Sequence, residues 1–174
     1  MPSRKYHGLT LIELMITLAV ATLVLTAGVP ALQQLFASSR AHSAVTTLYQ
    51  DLNYARQMAI AYQATVTLCP LSSSSHCNGQ WQQGYQIFID TPPWQSYGGD
   101  DAPLKLQPPI SSRDAIKYSA NVNAIRFDEA GFTGQNGTFY YCPDSDTASY
   151  LTAVVISRTG RIRHHTLATP VSCQ

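Results

Sequence analysis

Residues 8–30 read GLTLIELMITLAVATLVLTAGVP, and their composition governs the rest of the fold. Positions 14–32 form a run of 19 residues without a charge, and it continues to Phe36 with Gln33 and Gln34 as its polar interruptions. A bilayer core needs roughly 20 apolar residues in a helix, so the segment is long enough to span one. Arg4 and Lys5 precede it, which predicts a cytoplasmic N-terminus by the positive-inside rule. A cleaved secretory signal is the competing reading and requires a small-residue cleavage site after the apolar stretch. TAG at 26–28 is a poor match, so composition favours a retained anchor. Glu13 stands out here. A carboxylate within an apolar span is costly and rare, and it marks a function.

The chain of 174 residues suits one domain plus an accessory segment. Its 45% hydrophobic content is ample for a packed core and excludes disorder. A formal net charge of +1 says little about partners, but the distribution says more. Residues 151–174 hold Arg158, Arg161, Arg163, two histidines and no acid. A local basic end matters even where the total does not.

Four cysteines, Cys69, Cys77, Cys142 and Cys173, lie beyond the apolar run, on the side predicted to be exported. That compartment permits disulfides, and three pairings are open from sequence. The favoured set joins Cys69 to Cys77, closing a short Ser-rich loop, and Cys142 to Cys173, pinning the last strand and the C-terminus. Zinc is the alternative use of cysteine. No C-x(2–4)-C pair and no histidine at finger spacing supports it, so no metal is expected.

After its short basic leader, G-L-T-L-I-E-L-M-I resembles the class III signal of type IV pilins and type II secretion pseudopilins. The resemblance implies that a prepilin peptidase cuts between Gly8 and Leu9 and methylates the new N-terminus at Leu9. It divides the chain into a leader (1–8), the transmembrane half of a long helix (9–36) and an exported head (37–174). Glu13 becomes the fifth mature residue, and Pro30 falls where pilin helices commonly bend. Leu9 departs from the usual Phe. Physics supplies a reason for Glu13: cleavage creates a positive amine at Leu9, and filaments stack such helices in an apolar bundle. A carboxylate one turn along pairs with a neighbour's amine, offsets its desolvation and fixes axial register. The plainer alternative is a glutamate hydrated near the headgroups.

Beyond the apolar run, Ala41, Val45, Leu48, Leu52, Ala55, Ala59 and Tyr62 step by four and three, forming one stripe. One helix is therefore predicted from about Leu9 to Tyr62, bent at Pro30, with its second half packed on a sheet. Strand-like runs follow at 64–69, 84–90, 115–119, 123–128, 138–142, 151–157 and 161–165. Turn signals separate several of them, and no helical period recurs, so the sheet is expected to be antiparallel. Residues 91–113, with five prolines and two glycines, read as an irregular excursion, in which Trp94 and Tyr97 are expected to anchor the loop, the alternative being a contact surface.

TLCPLSSSSHCNGQWQQGYQIFID and TFYYCP…VVISRTGRIR resemble the heads of GspH/FimT-type minor pilins, which pack β-sheets against the long helix. The fold class implied is α+β and type IV pilin-like. Two machines use this branch, the type IV pilus and the type II secretion system. In the pilus group, members resembling FimT carry a C-terminal Gly-Arg-x-Arg signature for DNA binding; here it reads Gly160, Arg161, Ile162, Arg163. The implied partners are double-stranded DNA, other minor pilins, the major pilin, the prepilin peptidase and the inner membrane, with no cofactor. The implied location is the inner membrane with a periplasmic head, then the pilus. The alternative is a GspH-like pseudopilin in protein export without DNA binding.

The hairpin is legible without the resemblance. A loop of only Thr159 and Gly160 puts Arg161 and Arg163 on the face of Val154 and Ile156. A three-residue loop, Arg158-Thr159-Gly160, with glycine left-handed, pairs Ile156 with Ile162 instead. Val154, Ile156 and Ile162 then face the core, while Arg161, Arg163 and His165 face out. Separation of polar from apolar favours this register. Its arginines, with Arg158 at the tip, suit phosphate oxygens, although charges on an edge strand also block edge pairing. His164–His165 and the serines suggest catalysis, but they lack a nucleophile elbow, paired carboxylates or a nucleotide loop. Adjacent strand histidines point to opposite faces. An enzyme is not expected.

Overall fold

The computed structural model describes residues 10–71, 75–142 and 152–166. The chain divides into two units, Met1–Phe36 and Ala37–Gln174. Helix α1 runs over Leu11–Tyr62, and Pro30 lies inside it without ending it.

In the first unit, Thr10 starts the helix: its Oγ1 accepts the Glu13 N–H at 3.3 Å, and its carbonyl accepts the Leu14 N–H at 3.2 Å. Thr10 and Glu13 thus stand at the spacing of a helix-capping pair, with the acid near the positive end of the helix dipole. The hydroxyls of Thr17, Thr22 and Thr26 donate to the carbonyls of Leu14, Ala19 and Leu23 at 2.8, 2.8 and 2.9 Å. Each hydroxyl proton is satisfied within the helix, which suits an apolar medium. The large apolar side chains from Leu11 to Phe36 are exposed, and the helix is long and apolar enough to cross a membrane.

In the second unit the rest of α1 meets two four-stranded antiparallel sheets. The first has the order β3 (Ala102–Gln107), β2 (Tyr85–Ile89), β1 (Val66–Cys69), β5 (Ile125–Phe127). The second has the order β4 (Ala115–Tyr118), β6 (Gly137–Cys142), β7 (Thr152–Ile156), β8 (Ile162–Thr166). The α1 stripe from Ala41 to Ala59 is buried in one core with Leu68, Ile87 and Phe127 of the first sheet and Phe139, Val154 and Ile156 of the second. Trp81, in a short 3-10 helix over Trp81–Gln83, stands edge-on to Phe139 at 4.9 Å. Burial of this apolar surface is the main stabilising contribution.

The stripe differs from expectation at two places. Tyr62, its predicted last member, is 58% exposed, because the helix ends there. Asp51, an acid the apolar pattern passes over, is fully buried. Its carboxylate accepts from Tyr85 Oη at 2.9 Å on β2 and pairs with Lys105 on β3. Asp114 does the same for the second sheet: it pairs with Arg40 of α1 at 3.1 Å and accepts from Tyr141 Oη at 2.6 Å. Burial, reinforced by these acids, holds both phenols well above the ordinary tyrosine range, so each remains a donor.

β3 is a strand within the stretch expected to be irregular. Pro103 is tolerated there because β3 is an edge strand and its register with β2 shifts at Ile87/Phe88. Of the rest of that excursion, Ile110 packs against the core that α1 shares, and Tyr97 against the smaller cluster of Cys69, Cys77, Phe88 and Ala124. Tyr97 packs edge-on against Phe88 at 5.2 Å and so anchors the loop. Trp94 is 47% exposed and carries the Arg126 guanidinium 5.4 Å from its ring centre. Cys69 is joined to Cys77 across eight residues, with Cα atoms 5.4 Å apart, in that smaller cluster. Cys142 is also disulfide-bonded; its expected partner Cys173 lies outside the described residues.

Candidate nucleic-acid interface

β7 and β8 pair with Ile156 opposite Ile162, and the Ser157 N–H donates to the Arg161 carbonyl at 3.0 Å. The loop is therefore Arg158-Thr159-Gly160, closed by the Gly160 N–H to the Ser157 carbonyl at 2.9 Å. Gly160 has φ +71°, the left-handed conformation this loop type demands. Val154, Ile156 and Ile162 are buried, whereas Arg161, Arg163 and His165 are exposed. His164 follows the inward register but stacks on Tyr49 of α1, ring centres 4.1 Å apart.

β8 is the edge of its sheet among the described strands. Arg161 and Arg163, two residues apart, stand roughly 7 Å apart along it on one face. Among the described residues neither guanidinium has an ion-pair or hydrogen-bond partner. Arg158 differs, since its Nε donates to Asn136 Oδ1 at 3.2 Å. The arrangement is a short cationic row with its donors open to solvent, and such donors fit phosphate oxygens.

The hairpin tip is fastened at three points that the sequence pattern does not announce. The Thr133 N–H donates to the Arg158 carbonyl at 3.1 Å. Arg56 of α1 donates from Nε to the Gly131 carbonyl at 3.0 Å and from Nη2 to the Thr159 carbonyl at 3.5 Å. Gly131 and Gly160 meet back to back: a Cβ on Gly160 would lie 1.8 Å from the Gly131 carbonyl oxygen. Gly160 thus has a packing role beside its conformational one. Arg56 resembles any solvated helical arginine in sequence.

The remaining expected site residues lie elsewhere. Gly8 and Leu9 fall outside the described residues. Glu13 is exposed in the first turn of α1. Among the described residues no three of His, Cys, Asp and Glu converge as a metal site would require.

Residues 44–160 match the family described as Type II transport protein GspH, two-thirds of the chain. The chain belongs to the GspH family. Residues 3–29 also match the prokaryotic N-terminal methylation motif, so this GspH-family chain has both the head and the leader of a minor pilin or pseudopilin. Membership implies association with other pilins and processing by a prepilin peptidase, and it places the chain among structural proteins. In fold it is similar to the type IV minor pilin FimU of Pseudomonas aeruginosa, at 23% identity and TM-score 0.63, over 78% of this chain and 96% of that one. It is also similar to the minor pseudopilin EpsH from the Type 2 Secretion System of Vibrio cholerae, at 14% identity and TM-score 0.54, over 73% and 97%. No curated protein matches the chain. The GspH match ends at Gly160, one residue before Arg161.

Proposed function

We propose that this chain is a minor pilin of a type IV pilus that binds duplex DNA without sequence preference, for uptake in natural transformation. The observation that carries this reading is the β7–β8 register, which turns Arg161 and Arg163 outward with no acid beside them among the described residues. Phosphate contacts of this kind give affinity without reading bases. Before assembly the helix holds the chain in the inner membrane with its head in the periplasm. Cleavage between Gly8 and Leu9, methylation at Leu9 and pairing of Glu13 with a neighbour's amine then admit it to the filament beside other minor pilins and the major pilin. The second reading is a type II secretion pseudopilin acting in export without DNA. The family's description and the fold shared with EpsH support it.

The test is Arg161→Gln/Arg163→Gln in the full-length chain in detergent, titrated with duplex DNA at two salt concentrations. Removing one phosphate-bound cation lowers the log–log salt slope by about 0.9, so removing both lowers it by about 1.8. Ile162 stays in the core, so the fold should persist. Transformation frequency should fall with the affinity. A folded double variant that binds and transforms like wild type makes the arginines edge protection and gives the lead to the secretion reading.

A further inference from the structure

Beside the hairpin lies a feature that cations alone do not explain. Phe132 is 50% exposed, in the turn between β5 and β6. The ring stands on a fixed base: the Phe132 N–H donates to Asp128 Oδ1 at 2.8 Å, and its carbonyl accepts the Asp128 N–H at 3.0 Å. The residue before it, Gly131, abuts Gly160, and the residue after it, Thr133, is bonded to Arg158. An exposed aromatic ring on a fixed backbone is thus built into the turn that docks on the hairpin tip. Edge protection accounts for Arg161 and Arg163, but an exposed phenyl ring in the turn docked on their hairpin does not serve it.

We infer that Phe132 and the hairpin arginines form one composite site for an unstacked nucleobase with its flanking phosphates. The inference rests on the nucleic-acid reading of the hairpin and adds a second ligand to the duplex, single-stranded DNA or the frayed end of a duplex, which the ring favours. An intact duplex hides its base faces, so it offers the arginines phosphates and the ring nothing. A single strand offers both. Every base has a flat face, so stacking on Phe132 is tolerant of sequence, as are the phosphate contacts.

The experiment titrates the full-length chain in detergent with a single-stranded oligothymidine and with a capped duplex of equal length. Wild type, Phe132→Ala, Phe132→Tyr and Arg161→Gln/Arg163→Gln are compared, with thermal unfolding as the check on folding. Phe132→Ala should bind the single strand roughly 5- to 150-fold more weakly, with an unchanged salt slope and near-normal duplex binding. Phe132→Tyr, which keeps the ring, should bind like wild type. Loss of binding in the arginine variant with normal single-strand binding by Phe132→Ala overturns this inference and leaves the duplex reading standing. Normal binding of both DNAs by the arginine variant overturns the nucleic-acid reading itself. Equal loss of both DNAs in Phe132→Ala removes the stacking role.

Discussion

Gly160 carries two requirements in one position. Its φ of +71° is a region where a side chain costs about 1–2 kcal/mol, and its missing Cβ leaves room for the Gly131 carbonyl. Gly160→Ala imposes the backbone cost and also forces the two turns apart. A lower melting temperature is expected, together with weaker DNA binding, although Arg161 and Arg163 are both still present. Gly134→Ala supplies the control, since a Cβ there meets nothing within 4 Å. Identical unfolding of the two variants by calorimetry shows that the hairpin tip does not dock on Gly131. The glycine's conformation was legible in sequence because only a three-residue loop keeps Ile162 with Ile156. The docking was not legible, because Arg56 and Gly131 lie 104 and 29 residues away and follow no periodic pattern.

Patterns were readable wherever burial is periodic and obscure where a buried polar group replaces an apolar one. The α1 stripe and seven strands followed from spacing of three and four or from alternation. β3 did not, because Pro103 and Lys105 suit an edge strand held by Asp51 through Lys105, and neither signal is local. Asp90, just past β2, shows what such a group does to stability. It is buried, and among the described residues Oδ1 has no hydrogen-bond partner; Oδ2 accepts from the Thr67 hydroxyl and the Gln95 N–H. Burial raises its carboxyl above the ordinary range, outweighing those hydrogen bonds, with Asp101 raising it further and Arg126 lowering it. A raised folded-state pKa means the folded chain keeps a proton that the unfolded chain has released. The stabilisation is complete below the unfolded carboxylate value and is lost as pH rises through the folded one. Asp90→Asn should therefore gain on wild type as pH rises through that window, with its amide standing where Oδ1 lacks a partner. Urea unfolding across a pH series measures the gap. A gap that stays constant with pH sinks the argument.

Across the molecule, the proposed function gives the head one partner and the helix another, and separate variants test them. Type IV pilin-like architecture was legible because leader, apolar run and strand series each point to it. The proposed pairing group of Glu13 belongs to a neighbouring subunit, so no pattern within one chain announces that contact. Within the chain Glu13 is exposed, its N–H is held by Thr10, and it stands where an acid favours the start of a helix. Two roles therefore compete: support of the helix end, and pairing with the amine of a stacked subunit. Glu13→Gln separates them, because the amide keeps the side chain's shape and removes its charge. Support of the helix end is a small effect, about 0.3–1 kcal/mol at an exposed site, and losing it leaves assembly nearly normal. Pairing in an apolar bundle is a large one, because the neighbour's amine is left charged and desolvated. The expected outcome is normal membrane levels of the cleaved Glu13→Gln chain with little of it in sheared filaments, measured by quantitative mass spectrometry of both fractions. Glu13→Asp, which keeps the charge but shortens its reach, should recover part of the filament fraction. Wild-type incorporation of Glu13→Gln assigns the carboxylate to the helix end alone, and the subunits must then find their register by packing.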